Sequence, residues 1–201
     1  PAIDSIAENG LLFENCFCNS PLCVPSRTSL MTGLYPEDTG VYGNEAALSN
    51  FVMPHNVTTF PEVLRRAGYH TANFGKTHLP PELHPFETDD PSGSEMNLGL
   101  TQQELKALKK IGPKGSLSFN AGSIYPKGRK YGPEQVTSHA LQWISKQQCP
   151  YFVRISYTQP HSPIILKQGF EKMYDYRLFD GKLPDLNKLS QFEQAFSRIV
   201  A

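Results

Sequence analysis

No charge of either sign predominates in this chain: 19 Lys and Arg stand against 19 Asp and Glu in 201 residues. A general binder of nucleic acid or membrane surfaces normally carries a basic surplus, so the even balance argues against those classes. No stretch approaches the roughly 18 consecutive apolar residues that a membrane span requires. Cysteine is scarce, with four residues at 16, 18, 23 and 149. The C-x-C-x4-C spacing lacks the paired C-x2-C knuckles of a structural zinc site. Three cysteines crowded into one short segment are also a poor framework for stapling distant loops. The opening PAIDSIAENG has neither a charged n-region nor an apolar h-region, so no signal peptide is visible. Collagen, coiled coil and a disulfide-dense scaffold fall away on composition.

What is present is a chain 39% apolar, with 15 Gly and 17 Pro, which predicts a loop-rich globular domain. Residues 3 to 12 predict a helix with Ile3, Ile6 and Ala7 on one face, followed by a short strand-like run, Leu11 to Phe13. In PLCVPSRTSLMTG, Pro25 suits a first helical turn and Gly33 a C-cap. Thr59 is expected to cap a helix over FPEVLRRAG, with Val63, Leu64 and Ala67 facing a core. YHTANFG predicts a buried strand running straight into Lys-Thr-His. GPEQVTSHALQWISKQQ predicts an amphipathic helix presenting Val136, Ala140, Leu141 and Ile144, and YFVRISY a second strong strand. Helix followed by strand, twice over, is the pattern of a layered α/β fold. Residues 80–132 lack sustained periodicity and predict a loop-rich insertion with one short helix near 101–110. Its charge is segregated, −5 over 82–95 and +6 over 104–130. QFEQAFSRIVA has apolar residues at helical spacing but no stop signal, as though a helix were interrupted.

Three places could carry chemistry. Cys23 lies at the mouth of the helix that Pro25 opens, where free N–H groups and the dipole favour an anion, and Arg27 in the first turn can reach back to it. A thiol so placed suits a nucleophile. Lys76 and His78 are two residues apart at a strand end, so continued extended geometry would project both on one face. Ligand sites of open α/β sheets collect at such carboxyl ends. A fixed cation beside a titratable donor suits a tetrahedral oxyanion there. His161 follows the second strand in Gln159-Pro160-His161-Ser162-Pro163, a turn clamped by prolines. Each has a bland alternative: a buried helix-start thiol, a solvated lysine, a surface turn histidine.

Together these residues resemble a known family. Cys23 to Gly33, C-V-P-S-R-T-S-L-M-T-G, is similar to the type I sulfatase signature C-x-P-S-R-x-x-x-L-T-G, with the Leu shifted by one residue. Gly68 to Leu79 resembles the family's second signature, which ends in G-K-x-H. The opening Pro1-Ala-Ile-Asp to Phe13 segment and Gln159 to Pro163 extend the match over nearly the whole chain except 80–132. The resemblance implies a layered α/β/α fold of the alkaline-phosphatase-like superfamily. It implies that Cys23 is oxidised to formylglycine by a maturation enzyme that reads Pro25 and Arg27. The aldehyde's hydrate would attack the sulfur of a sulfate monoester, and its second hydroxyl would later expel sulfate. By the same carry-over Arg27 would stabilise the diol, Lys76 would hold the sulfate, and His78 would help the diol lose its proton. His161 would contact the sulfate and the leaving oxygen, and Asn44, in T-G-V-Y-G-N, falls where some branches place an Asn on the sulfate. The expected partner is a sulfated small molecule or glycan. A periplasmic, extracellular or lysosomal setting is what the resemblance suggests.

The departures are specific. The family holds a divalent cation, usually calcium, through an Asp-Asp pair upstream of the Pro1 segment and a further pair downstream of His161. Calcium needs six or more oxygens, and this chain offers no match for those carboxylates. Cys23, as formylglycine, would be the one metal ligand recognised, with the rest outside the chain. The expectation is a portion of an N-terminal sulfatase catalytic domain, cut at both ends and inactive alone. Rival readings are a phosphonate monoester or phosphodiester hydrolase of the same superfamily, a non-catalytic sulfoglycan-binding module using 104–130, and a plain cysteine-nucleophile enzyme.

Overall fold

The computed structural model describes residues 2–47, 51–53, 57–94, 100–101, 103–104, 109–111, 122–161 and 164–173. The chain forms two compact units. The first comprises Pro1–Thr71, His78–Glu87 and Cys149–Phe152; the second comprises Ala72–Thr77, Thr88–Gln148 and Val153–Ala201.

The first unit is helical. Helix α1 (Ala2–Glu8) buries no residue, and Ile3 is 82% exposed. The run Leu11 to Phe13 is exposed and forms no strand, contrary to the sequence expectation. Three consecutive apolar residues are too few to hold a strand without a neighbouring one to bond to. Helix α2 (Cys23–Thr32) follows and ends where Gly33 takes φ 72°, its N–H donating to the Ser29 carbonyl. Short helix α3 (Pro36–Thr39) ends the same way at Gly40, and a 3₁₀ turn spans Asn44–Ala47. Val24, Val41 and Ala46 pack together, and Met31 joins Leu79, Leu83 and Phe86 in a second cluster, so α2 is held near both its start and its end.

Helix α4 (Phe60–Arg66) begins with the capping arrangement its sequence predicts. The Thr59 N–H donates to Glu62 Oε2 at 2.7 Å, and the Thr59 hydroxyl donates to the same oxygen at 2.8 Å. Of the expected core face only Leu64 is half-buried; Val63 is 54% exposed and Ala67 is exposed. Burial falls instead on Pro61 at the first turn, and Phe60 meets Phe152 edge to face at 5.1 Å.

Strand β1 (His70–Gly75) is the centre of a three-stranded sheet, with β2 (Thr88–Asp90) on one side and β5 (Tyr151–Ser156) on the other. β1 and β2 are parallel, with Asn73 opposite Asp89. β2 lies in the segment expected to be loop; three residues are too short for a visible alternation. The second unit packs Ala72 and Phe74, one face of β1, against Val136 and Ala140 of helix α5 (Gly132–Ile144). Leu141, expected in the core, is exposed. A second sheet orders β3 (Lys109–Ile111), β4 (Gly122–Ile124) and β6 (Ile165–Leu166), with β3–β4 antiparallel and β4–β6 parallel. The short helix expected near 101–110 and the helix expected over QFEQAFSRIVA lie largely or wholly outside the described residues. Among the described residues no helix is long and apolar enough to cross a membrane.

Two positions test this packing. Gly75 has φ 92°, and a Cβ there would lie 2.1 Å from the Ser156 carbonyl oxygen. Gly75→Ala is therefore expected to destabilise by more than about 2 kcal/mol, measured by urea unfolding. The Asp90 carboxylate is pushed up by burial but more than offset by hydrogen bonds from Ser92 and His139, so its pKa lies below the usual carboxylate value. A lowered folded-state pKa gives stability that is present above the unfolded pKa and is lost as pH falls through the folded one. Asp90→Asn should flatten the acid limb of a pH–stability curve and leave its neutral-to-basic shape unchanged.

Candidate active site

Helix α2 starts at Cys23 itself, earlier than Pro25 suggests. Its first amides need acceptors, and the N-cap residue, Leu22, has no side-chain oxygen to supply one. Asn44 fills the role from twenty residues away: the Val24 N–H donates to Asn44 Oδ1 at 3.0 Å. The sequence points to Asn44 only through the family motif; its capping role depends on the fold. The other end of that amide, Nδ2, is a pure donor and so suited to an anion.

Arg27 lies one turn into α2, and its Nη1 donates to the Cys23 carbonyl at 3.2 Å. The guanidinium is thus folded back along the helix toward the residue at its mouth. Its Nε is buried with no hydrogen-bond partner, as is the Thr28 hydroxyl. A buried guanidinium nitrogen left without an acceptor is costly. It also marks the place where an anion would complete the arrangement. Cys23 is half-buried, and all four cysteines carry free thiols. The first unit therefore brings Asn44 to the Val24 amide and Arg27 to the Cys23 carbonyl, both at the first turn of α2. His78 belongs to the same unit, half-buried, with φ 49°. A positive φ is uncommon for a residue with a Cβ, though histidine is among the enriched types.

That backbone corrects one expectation. Extended geometry stops at Gly75, and the left-handed conformations at Gly75 and His78 mean that the alternation rule does not put Lys76 and His78 on one face. Lys76 belongs to the second unit and is only 4% exposed, its N–H donating to the Ser156 carbonyl at 2.9 Å. His161 is also in the second unit and exposed. Its turn is closed by the His161 N–H donating to the Thr158 carbonyl at 3.0 Å around a cis Gln159–Pro160 bond. Ser162 and Pro163 lie outside the described residues.

Two features lie beyond what the sequence signals. Cys18 donates to the Ser20 carbonyl at 2.8 Å and lies 3.3 Å from Ser26 Oγ, beside a cavity of about 410 Å³ that none of the predicted site residues lines. Asn73, Thr77, Asp89 and Arg154 form a polar network in the second unit. The one available signal is the polar–apolar alternation of Thr71-Ala72-Asn73-Phe74. Among the described residues no cluster of three or more His, Cys, Asp or Glu could hold a metal ion. The calcium that the motifs imply therefore has no fitting ligand set here.

The sulfatase resemblance and the α/β architecture agree with comparisons to known proteins. The sulfatase family model matches residues 1–185, and the chain belongs to the sulfatase family. It is 30% identical to choline-sulfatase from Rhizobium meliloti (strain 1021), over 87% of this chain and 36% of that protein. Human iduronate 2-sulfatase is also 30% identical, over 87% of this chain and 33% of its own length. The chain thus spans about a third of these relatives. Among solved structures it resembles phosphonate monoester hydrolase of Agrobacterium radiobacter, with TM-score 0.63 and 20% identity over 88% of this chain and 39% of that one. A 2-O GAG sulfatase gives TM-score 0.52 and 23% identity over 79% and 29%. These likenesses establish an alkaline-phosphatase-like α/β fold, represented here in part.

The remote cap can be tested directly. Asn44→Ala should destabilise the protein by about 1 kcal/mol in denaturant unfolding, because an orphaned helix amide replaces a capped one. Asn44→Asp keeps an acceptor at the positive helix end and should recover most of that loss.

Proposed function

We propose that this chain carries the nucleophile-bearing part of an enzyme that hydrolyses sulfate monoesters through a formylglycine made from Cys23. The observation that carries the reading is the first turn of α2, where Arg27 Nη1 reaches the Cys23 carbonyl at 3.2 Å and Arg27 Nε is buried with no partner. An oxyanion is the ligand that such a guanidinium and a helix N-terminus would both favour.

In this reading a maturation enzyme, drawing on an external two-electron oxidant, oxidises the Cys23 Cβ to an aldehyde with its sulfur leaving as sulfide, and water hydrates the aldehyde to a geminal diol. One diol hydroxyl attacks sulfur, the S–O bond to the alcohol breaks, and the alcohol leaves with a proton. The remaining hydroxyl then loses its proton, its electron pair re-forms the C=O bond, and sulfate departs. A serine or an unmodified cysteine would form an adduct with no second hydroxyl, so sulfate would stay attached. Arg27 stabilises the diol oxygens by charge and hydrogen bonding. The motif match carries to Lys76 the task of holding sulfate, to His78 that of taking the diol's proton, and to His161 that of giving a proton to the leaving alcohol. Asn44 adds an amide donor for the sulfate. The divalent cation of the family has no fitting ligand set among these residues, and none of these steps runs through it. The relatives' names, choline-sulfatase and iduronate 2-sulfatase, point to quite different alcohols, so the sulfate is the shared element of recognition.

The test is made on the full-length protein expressed with a formylglycine-generating enzyme. Mass spectrometry of the Cys23 peptide should show an aldehyde in place of the thiol, and p-nitrophenyl sulfate should be hydrolysed faster than the corresponding phosphonate. Cys23→Ala should lower kcat by at least about a thousandfold, the scale of losing a nucleophile. A persistent thiol together with full turnover would overturn the formylglycine reading.

A further inference from the structure

Asn73 is completely buried in the middle of β1, and its amide has a partner at each end. Its Oδ1 accepts from Arg154 Nη1 on β5 at 3.1 Å. Its Nδ2 donates to Asp89 Oδ1 on β2 at 2.9 Å, to Thr77 Oγ1 at 3.0 Å and, at the limit of reach, to the Gly75 carbonyl at 3.4 Å. The Thr77 hydroxyl in turn donates to the Asp89 carboxylate, with Oδ1 at 2.7 Å and Oδ2 at 2.9 Å. One polar chain therefore crosses all three strands of the sheet, Arg154 to Asn73 to Asp89, and folds back through Thr77.

Lys76, 4% exposed, lies in sequence directly before Thr77 of this chain. The residue before it, Gly75, approaches the Ser156 carbonyl so closely that no Cβ fits, and the Lys76 N–H donates to that same carbonyl. The residue after it is Thr77. The main chain on both sides of the lysine is thus tied to neighbouring strands, by backbone contact on one side and by the Thr77–Asp89 bonds on the other. Thr77 is the variable position of the G-K-x-H signature, so a hydroxyl there is a feature of this sequence rather than of the motif.

We infer that Thr77 and Asp89, organised by Asn73 and Arg154, are positioning residues that fix the backbone carrying Lys76 and so set how tightly the lysine grips the substrate's sulfate group. This rests on the sulfatase reading for the sulfate, but the positioning itself stands on the geometry. A long lysine side chain loses much rotamer freedom on gripping an anion, and a fixed backbone limits what else must be ordered. Losing the tie allows the ammonium to shift, and displacements of ångström scale are enough to matter to catalysis.

The experiment compares the full-length matured enzyme with Thr77→Val, Thr77→Ser and Asp89→Asn. Thr77→Val keeps the shape and removes the hydroxyl; Thr77→Ser keeps the hydroxyl. For Thr77→Val and Asp89→Asn, KM for p-nitrophenyl sulfate and the inhibition constant of inorganic sulfate should both rise about tenfold. Thr77→Ser should stay near the parent. Hydrogen exchange at the Lys76 amide should speed up in Thr77→Val and Asp89→Asn, while exchange in helix α2 is unchanged. A purely structural role would lower the amount of active enzyme, reducing apparent kcat and leaving KM and sulfate inhibition where they were. That pattern, or unaltered Lys76 exchange in Thr77→Val, overturns the inference. If the parent hydrolyses no sulfate ester, the sulfatase reading fails by itself, and the exchange measurement still decides whether Thr77 and Asp89 hold the Lys76 backbone.

Discussion

Burial of β1 is the constraint from which much else follows. Every residue from Thr71 to Lys76 is shielded from water, yet the strand carries Thr71, Asn73 and a lysine at its end. Buried polar groups must find partners inside the protein. Thr71 meets Glu87, whose carboxylate accepts from the Thr71 N–H at 2.9 Å and whose own N–H donates to the Thr71 carbonyl and hydroxyl. Asn73 recruits Asp89 and Arg154. The alternate face, Ala72 and Phe74, is apolar and packs on α5. A strand with one oily face and one polar face, both buried, specifies its register sharply, because a one-residue slip would bury Asn73 in the oil.

Helix α2 solves a different problem with equally few groups. A cysteine at a helix start leaves the first amides without a local cap, and a remote asparagine provides one. Arg27, one turn later, turns its guanidinium back to the same end. The amide and the guanidinium thus both bond the backbone of a single helical turn. The helix is held by apolar clusters near both ends, around Val24 and around Met31, so the turn that bears Cys23 sits on a supported element rather than a loose loop.

Legibility from sequence follows the length of each signal. β1, β5 and α5 are readable because each carries five or more residues of consistent period. The capping of α4 by Thr59 and Glu62, and the C-cap of α2 at Gly33, are readable because they are local chemistry. The failures have local causes too. Leu11 to Phe13 is apolar but too short to be a strand without a partner. On α4 the aliphatic spacing names Val63 and Ala67, yet the buried residue is Pro61 and the aromatic contact is Phe60 on Phe152, which only the folded neighbours supply. β2 is invisible because three polar residues, Thr88 to Asp90, become a strand only through pairing with β1.

The site divides along the same line. Cys23, Arg27, Lys76, His78 and His161 stand out in the sequence, because each sits in a short run whose spacing is itself chemical information. The motif places Asn44, but its Oδ1 on the Val24 amide cannot be read from residues twenty apart. Asn73, Thr77, Asp89 and Arg154 give no such sign, since nothing in four separated polar residues announces a network. The sequence by itself determined the family and the main elements, and it singled out the side chains proposed for the chemistry. Only the tertiary structure decided which backbone groups those side chains bond, that His78 leaves the extended path, and that Lys76 is tied down on both flanks. Those outcomes depend on burial, and burial is a property of the folded neighbours rather than of any one stretch of chain.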